Sequence, residues 1–231
     1  MNEDLTATLA ATAFIDADHP AIRAFTAEVV GELNDPRDQA VALYYAVRDR
    51  LRYDPYRVDM SDHALKASTT LLSGRGWCQT KATLLAAACR AVGVPARVGY
   101  ADVRNHLSTA RMRELLQSDL YYWHGYTSIL LDGRWVKATP AFNIELCSKF
   151  GLAPLDFDGR EDSIYQPYDL GGNRHMEYIR QRGSFNDLPL DEIMVTFREI
   201  YAGWLPGGET VSRLQGADFL ADVAGETKTG P

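Results

Sequence analysis

Gly74-Arg75-Gly76-Trp77-Cys78-Gln79-Thr80-Lys81-Ala82 is the stretch whose reading decides the fold. Its glycines reset the backbone, and a helical pattern begins at Cys78, with Ala82, Leu85, Ala86 and Cys89 on one face. The alanines between them allow close packing. Gly93 supplies a C-terminal stop, and Pro95 reinforces it. The helix therefore opens on a cysteine placed at the positive end of its dipole, which favours the thiolate. Cys89, in the same helix, reads as a small core residue. Cys147 falls in a polar loop region without such a setting.

C-terminal to this helix the periodicity changes. Ala96–Val103 reads as a strand, and Tyr121–Leu131 as a second one rich in aromatic and β-branched residues. Asp132-Gly133 is a two-residue hairpin turn; Arg134–Thr139 is its return strand, ended by Pro140. N-terminal to it, residues 20–33 read as a helix with Ile22, Phe25, Val29, Val30 and Leu33 apolar. Asp35-Pro36 caps and opens another helix, which runs to about Leu51 and buries Ala40, Val41, Tyr44, Tyr45 and Val47 or Arg48. Tyr53-Asp54-Pro55-Tyr56 breaks it, and a loop runs to about Ser68. Residues 140–190 read as mostly irregular, an elaboration over one face. Asp187–Tyr201 is an amphipathic helix, and the chain frays from about Ala224. Helices, then a helix opened by cysteine, then strands, indicate an α+β class. The expectation is one domain over residues 1–231, with its core at about 20–143 and an elaboration and C-terminal helix at about 144–223.

Composition narrows the partners. Hydrophobic residues make up 46% and charged residues 24%, enough for a packed core. A net charge of −7 argues against nucleic acid and against an acidic membrane surface. No apolar run is long enough to span a bilayer. The N-terminus lacks the basic stretch and apolar run of a secretory signal. Three widely spaced cysteines make no disulfide framework, so a soluble protein in a reducing cytoplasm is expected, with Cys78 a free thiol.

His124 lies on the first strand of the Asp-Gly hairpin. A helix-borne thiol facing a strand-borne imidazole suits acyl-transfer chemistry: the imidazole holds the thiolate as an ion pair, then protonates the leaving group. His63, His106 and His175 are scattered and read as surface or structural. With Asp102, Asp119 and the other carboxylates they show no metal-ligand spacing. Asp156-Phe157-Asp158-Gly159 is like a fragment of a calcium loop but lacks the acidic positions that should follow. No metal site is expected.

Gly76-Trp77-Cys78, the alanine-rich helix and Arg90-Ala91-Val92-Gly93-Val94-Pro95-Ala96-Arg97 resemble the nucleophile segment of the transglutaminase-like superfamily. Trp123-His124-Gly125-Tyr126, with Leu131-Asp132-Gly133-Arg134-Trp135-Val136, resembles its histidine strand and following hairpin. The resemblance spans about residues 40–143. It implies a papain-like or transglutaminase-like α+β fold, with the nucleophile helix packed on a small antiparallel sheet. It also implies a cysteine peptidase, amidase or acyltransferase acting on an amide, ester or thioester of a peptide, protein or small acyl substrate. A covalent acyl-enzyme is resolved by water or an amine, and no cofactor is needed.

The family usually carries Trp-x-x-x-Asp-Pro after the hairpin turn. Here the run is Trp135-Val136-Lys137-Ala138-Thr139-Pro140, with Thr139 at the acid's position. A threonine hydroxyl can accept the ring N–H but carries no charge. Asn143 is the other candidate to orient His124, through its amide oxygen. The Cys78 backbone N–H is the expected oxyanion donor, and Trp77 or Gln79 is a candidate for the second. The alternative is a binding domain that kept the fold and lost catalysis with the acid.

Overall fold

The computed structural model describes residues 5–106, 108–165, 167–205, 214 and 216–226. Its helices are α1 (Thr6–Leu9), α2 (Pro20–Val30), α3 (Pro36–Arg50), α4 (Ala67–Ser73), α5 (Cys78–Ala91), α6 (Ala110–Leu116), α7 (Ile144–Phe150), α8 (Leu190–Ile200) and α9 (Phe219–Glu226), with a 3-10 turn at Ala202–Trp204. Its strands are β1 (Arg52–Tyr53), β2 (Arg75–Gly76), β3 (Ala96–Asn105), β4 (Leu120–Leu131), β5 (Arg134–Ala138) and β6 (Met176–Phe185).

The local signals act as their chemistry requires. Asp35 caps α3, its Oδ1 accepting the N–H groups of Arg37 and Asp38. Asp132 and Gly133 both take positive φ, 52° and 76°, the pair of left-handed residues that a tight hairpin needs. β3 to β6 form one antiparallel sheet in the order β5-β4-β3-β6, while β1 and β2 form a short parallel pair. That pair holds the chain at Gly76 and so fixes where α5 begins.

The sheet corrects one expectation. Residues 140–190 are mostly irregular, as read, but they are more than an elaboration over one face: they hold α7, and β6 is a full strand of the main sheet, paired to β3 from Val98↔Phe185 to Asn105↔Met176. Its run Glu177-Tyr178-Ile179-Arg180-Gln181-Arg182 mixes charge into both faces, which hides the two-residue alternation of a half-buried strand. The loop expected to run to about Ser68 ends earlier: Ala67–Ser73 form α4. Residues 224–226, expected to fray, belong to α9; residues 227–231 lie outside the described residues.

α5 is more deeply placed than its periodicity shows. α5 is buried on every side from Cys78 to Arg90, because α2, α3 and α4 cover one side of it and β3 and β4 the other. Its polar side chains must then find partners inside the protein. The Lys81 ammonium donates to the carbonyls of Arg48, Leu51 and Ala141 at 2.8–2.9 Å. Arg90 donates to the carbonyls of Ala96, Ala10 and Asn186. These buried cations tie α5 to α3, to the N-terminal segment and to the chain after β6. Around them lies a continuous core that includes Ile22, Leu43, Tyr44, Leu85, Tyr100, Ile129 and Ile193.

Candidate active site

Cys78 opens α5 where the helix end meets β4. The approach is close because β4 carries Gly125 there: a Cβ at that position would lie 2.8 Å from the Gln79 Cα. The backbone N–H groups of Gly125 and Gln79, with that of Cys78 itself, lie on the sulfur's side and favour its charged form. His124 precedes Gly125, and both Cys78 and His124 line one cavity of about 80 Å³, with Tyr53, Trp77, Phe142 and Tyr201 among its other walls. Cys78 is 9% exposed and His124 5%.

Burial decides the charge state. It pushes the Cys78 thiol up to about 11, outweighing the N–H groups that pull it down. It pushes the His124 imidazole down to about 4, and the neighbouring His175 adds to that shift. Burial thus opposes both the Cys78 thiolate, which the helix dipole favours, and the His124 imidazolium.

Trp123, just before His124, has φ 60°, a left-handed conformation that costs a non-glycine residue about 1–2 kcal/mol. It sits in a β-bulge: Ala101 faces His124 and Val103 faces Tyr121, so Asp102 alone opposes Tyr122 and Trp123. The Trp123 N–H donates to Asp102 Oδ1 at 3.2 Å, and its carbonyl accepts from Gln79 Nε2 at 2.9 Å. Its indole N–H donates to Thr196 Oγ1 on α8. The Arg182 guanidinium stacks 4.4 Å from its ring and pairs with Asp102 at 2.6 Å. The Gln79 side chain is thus a tether between helix and histidine strand. One N–H of its amide is committed to the Trp123 carbonyl.

The candidate third members separate. Thr139 lies just past β5 and shares with His124 a second cavity of about 10 Å³, space on the scale of one water. His124 Nε2 and Thr139 Oγ1 are both buried, and among the described residues neither has a partner at full hydrogen-bond geometry, although the Tyr178 hydroxyl lies beside Thr139. Asn143 stands at the start of α7, its Oδ1 accepting the Tyr53 N–H at 3.2 Å, and it lines neither cavity. Trp77 lines the larger cavity and tilts against Phe197.

These positions agree with one sequence comparison. A match to the transglutaminase-like superfamily runs over residues 23–140, just over half of the chain. The chain belongs to the transglutaminase-like superfamily. Among solved structures, a candidate cysteine protease from Cytophaga hutchinsonii has a TM-score of 0.50 at 17% identity, over 81% of this chain and 48% of its own, and it shares the transglutaminase-like fold. A candidate protease from Parabacteroides distasonis aligns with a TM-score of 0.36 at 16% identity, over 55% of this chain and 25% of its own. The transglutaminase-like chain thus spans about half the length of the first and a quarter of the second. No curated protein matched.

Three residues around this transglutaminase-like centre escaped the sequence. His175, read as scattered, is fully buried beside His124, its ring 5.9 Å from Phe142. Asp102 and Arg182 meet only because β4 and β6 both bulge where they pair with β3. Asp158, of the supposed calcium-loop fragment, instead caps a turn by accepting the N–H groups of Arg160 and Glu161. Among the described residues, no group of three or more His, Cys, Asp or Glu side chains is placed to hold a metal, and no helix is long and apolar enough to cross a membrane.

Proposed function

We propose that the protein is a cysteine-dependent acyl hydrolase or acyltransferase with Cys78 as nucleophile and His124 as general base. The observation that carries this is the shared cavity, lined both by the Cys78 thiol at the start of α5 and by the buried His124 imidazole. Because burial opposes charge on both groups, proton transfer accompanies attack. Sγ bonds to the carbonyl carbon as its proton passes to His124. The resulting oxyanion is met by the N–H groups at the start of α5 and at Gly125. Collapse breaks the bond to the amine, alcohol or thiol, which leaves with the proton from His124. Water or an amine then attacks the thioester, gives its proton to His124, and releases Cys78 as the sulfur regains it. Thr139, rather than Asn143, is the residue that faces His124 as a third member. The three free cysteines suit a reducing, cytoplasmic setting.

The test is a burst of nitrophenolate from p-nitrophenyl acetate, with the adduct mapped by mass. The acetyl group is expected on Cys78, absent in Cys78→Ala and formed about 10²-fold more slowly in His124→Ala. An adduct elsewhere, or unchanged rates in both variants, overturns the assignment. The uncharged Thr139 favours a second reading, a binding domain without turnover. That reading predicts no burst at all.

A further inference from the structure

The walls of the cavity above Cys78 restrict what can enter it. Among the described residues that line it there is no lysine, arginine, aspartate or glutamate. Several charges beside the lining residues in the chain are engaged elsewhere, Asp102 with Arg182, Arg111 with Asp222 and Asp54 with Arg75. Of the four tyrosines on the walls, two have their phenolic oxygens occupied. The Tyr201 hydroxyl accepts the Tyr122 N–H and donates to the Leu120 carbonyl, and the Tyr121 hydroxyl pairs with Ser108. What faces the cavity is therefore mostly ring and hydrocarbon.

The rings hold one another in place. Phe197 and Tyr201 meet edge to face at 5.1 Å, Tyr122 and Tyr201 at 6.0 Å, and Tyr53 and Phe142 at 4.9 Å. Such pairs resist rearrangement to admit a polar guest. A polypeptide backbone needs a donor and an acceptor for every amide, and the walls offer few of either. A charged acyl tail would be stripped of water with no counter-ion to meet it.

We propose that the acyl group taken by Cys78 has a compact, uncharged, apolar tail, aromatic or branched aliphatic, and that any charged or peptide part of the substrate stays outside the cavity. This rests on reading Cys78 as the nucleophile. In the acylation step the thioester S–C bond forms and the leaving-group bond breaks. The thiol proton leaves with the departing group through His124, so no redox partner is involved. Leu116, half-buried on α6, lines the cavity and sets its apolar character on that side.

The experiment has two arms on the full chain. In the first, the p-nitrophenyl esters of phenylacetate, isobutyrate and succinate are compared by nitrophenolate release and by the adduct mass on Cys78. Phenylacetyl and isobutyryl transfer is expected to exceed succinyl transfer by at least about tenfold, after correction for each ester's rate with free cysteine. In the second, Cys78 is alkylated with N-benzyl-iodoacetamide and with iodoacetate, which needs no turnover. The uncharged benzyl reagent is expected to win by a similar factor, and Leu116→Arg to shrink the preference by admitting the anion. Equal corrected rates for apolar and anionic reagents in the alkylation arm overturn the proposal. Failure of every ester together with a retained benzyl preference removes the acyl-transfer reading but leaves the cavity selective for apolar groups.

Discussion

The carboxylate of Asp102 accepts the backbone N–H of Trp123 at 3.2 Å, one residue before His124. With Gln79 bonded to the Trp123 carbonyl, the left-handed peptide is clamped from both sides. Asp102 is therefore a positioning residue for the imidazole. Asp102→Ala is expected to lower kcat by about 10²-fold with little change in KM, since small displacements of a reacting group have effects of that size. It also leaves Arg182 buried and unpaired, which costs stability. The double variant Asp102→Ala/Arg182→Met separates the two effects: its melting temperature should recover while kcat stays low. Recovery of both would reduce the clamp to a stabilising contact.

Gly125 is where the backbone of β4 lies against the start of α5. In Gly125→Ala the new Cβ meets the Gln79 Cα at 2.8 Å and the Cys78 carbonyl at 3.0 Å, both backbone atoms that cannot swing aside. A loss of about 1–3 kcal/mol is expected in denaturant unfolding. Acylation should fall further than that loss of folded protein explains, because the strain is released by moving Cys78. An unfolding midpoint and acylation rate that both match the parent protein would contradict the close contact.

How much of this was legible in sequence follows from which interactions are local. The hairpin at Asp132-Gly133, the cap at Asp35 and the helix opened by Cys78 are set by neighbours in the chain, and each forms as read. β6 was missed because its pairing with β3 is long-range and its charges mask the alternation. The Asp102–Arg182 pair was invisible for the same reason: the bulges that bring it together have no residue signature. The burial that opposes charge on Cys78 and His124 was not legible, because a helix dipole can be inferred from a start signal, whereas depth of burial is a property of the packed whole.

Lys81 tests the burial of α5 directly. Its ammonium holds three backbone carbonyls in a fully buried site, and burial pulls its pKa down to about 7. Lys81→Met keeps the volume but leaves those carbonyls without a donor. A loss on the order of 3 kcal/mol is expected in denaturant unfolding. A variant as stable as the parent would mean that the carbonyls regain partners once the side chain is gone.

The pH dependence follows from the same burial. His124 folds with its pKa lowered from 6.5 to about 4, so the unfolded chain binds more protons between those values. Stability contributed by this group is therefore complete above about pH 6.5 and is lost as pH falls towards 4, by up to about 3 kcal/mol. His124→Gln should flatten that part of the stability profile. Iodoacetamide labelling of Cys78 should be slow at pH 6 and rise towards pH 11, following a thiol pushed up by burial. Fast labelling at pH 6 would instead reveal a thiolate–imidazolium pair.

Thr139→Asp asks what the missing acid would do. Thr139 and His124 face one small cavity, and among the described residues His124 Nε2 has no hydrogen-bond partner there. A carboxylate at this position favours the protonated imidazole and raises its pKa above about 4. Two changes should follow together. Labelling of Cys78 below pH 7 should accelerate, because the imidazolium supports a thiolate. The acid limb of the acylation profile should move to higher pH, because the neutral base is lost sooner as pH falls. Thr139→Val is the control of matched shape: it removes the hydroxyl and adds no charge, so it should leave the acid limb where it is. If Thr139→Asp and Thr139→Val give the same profile, residue 139 does not act on His124, and the third position of the site lies elsewhere.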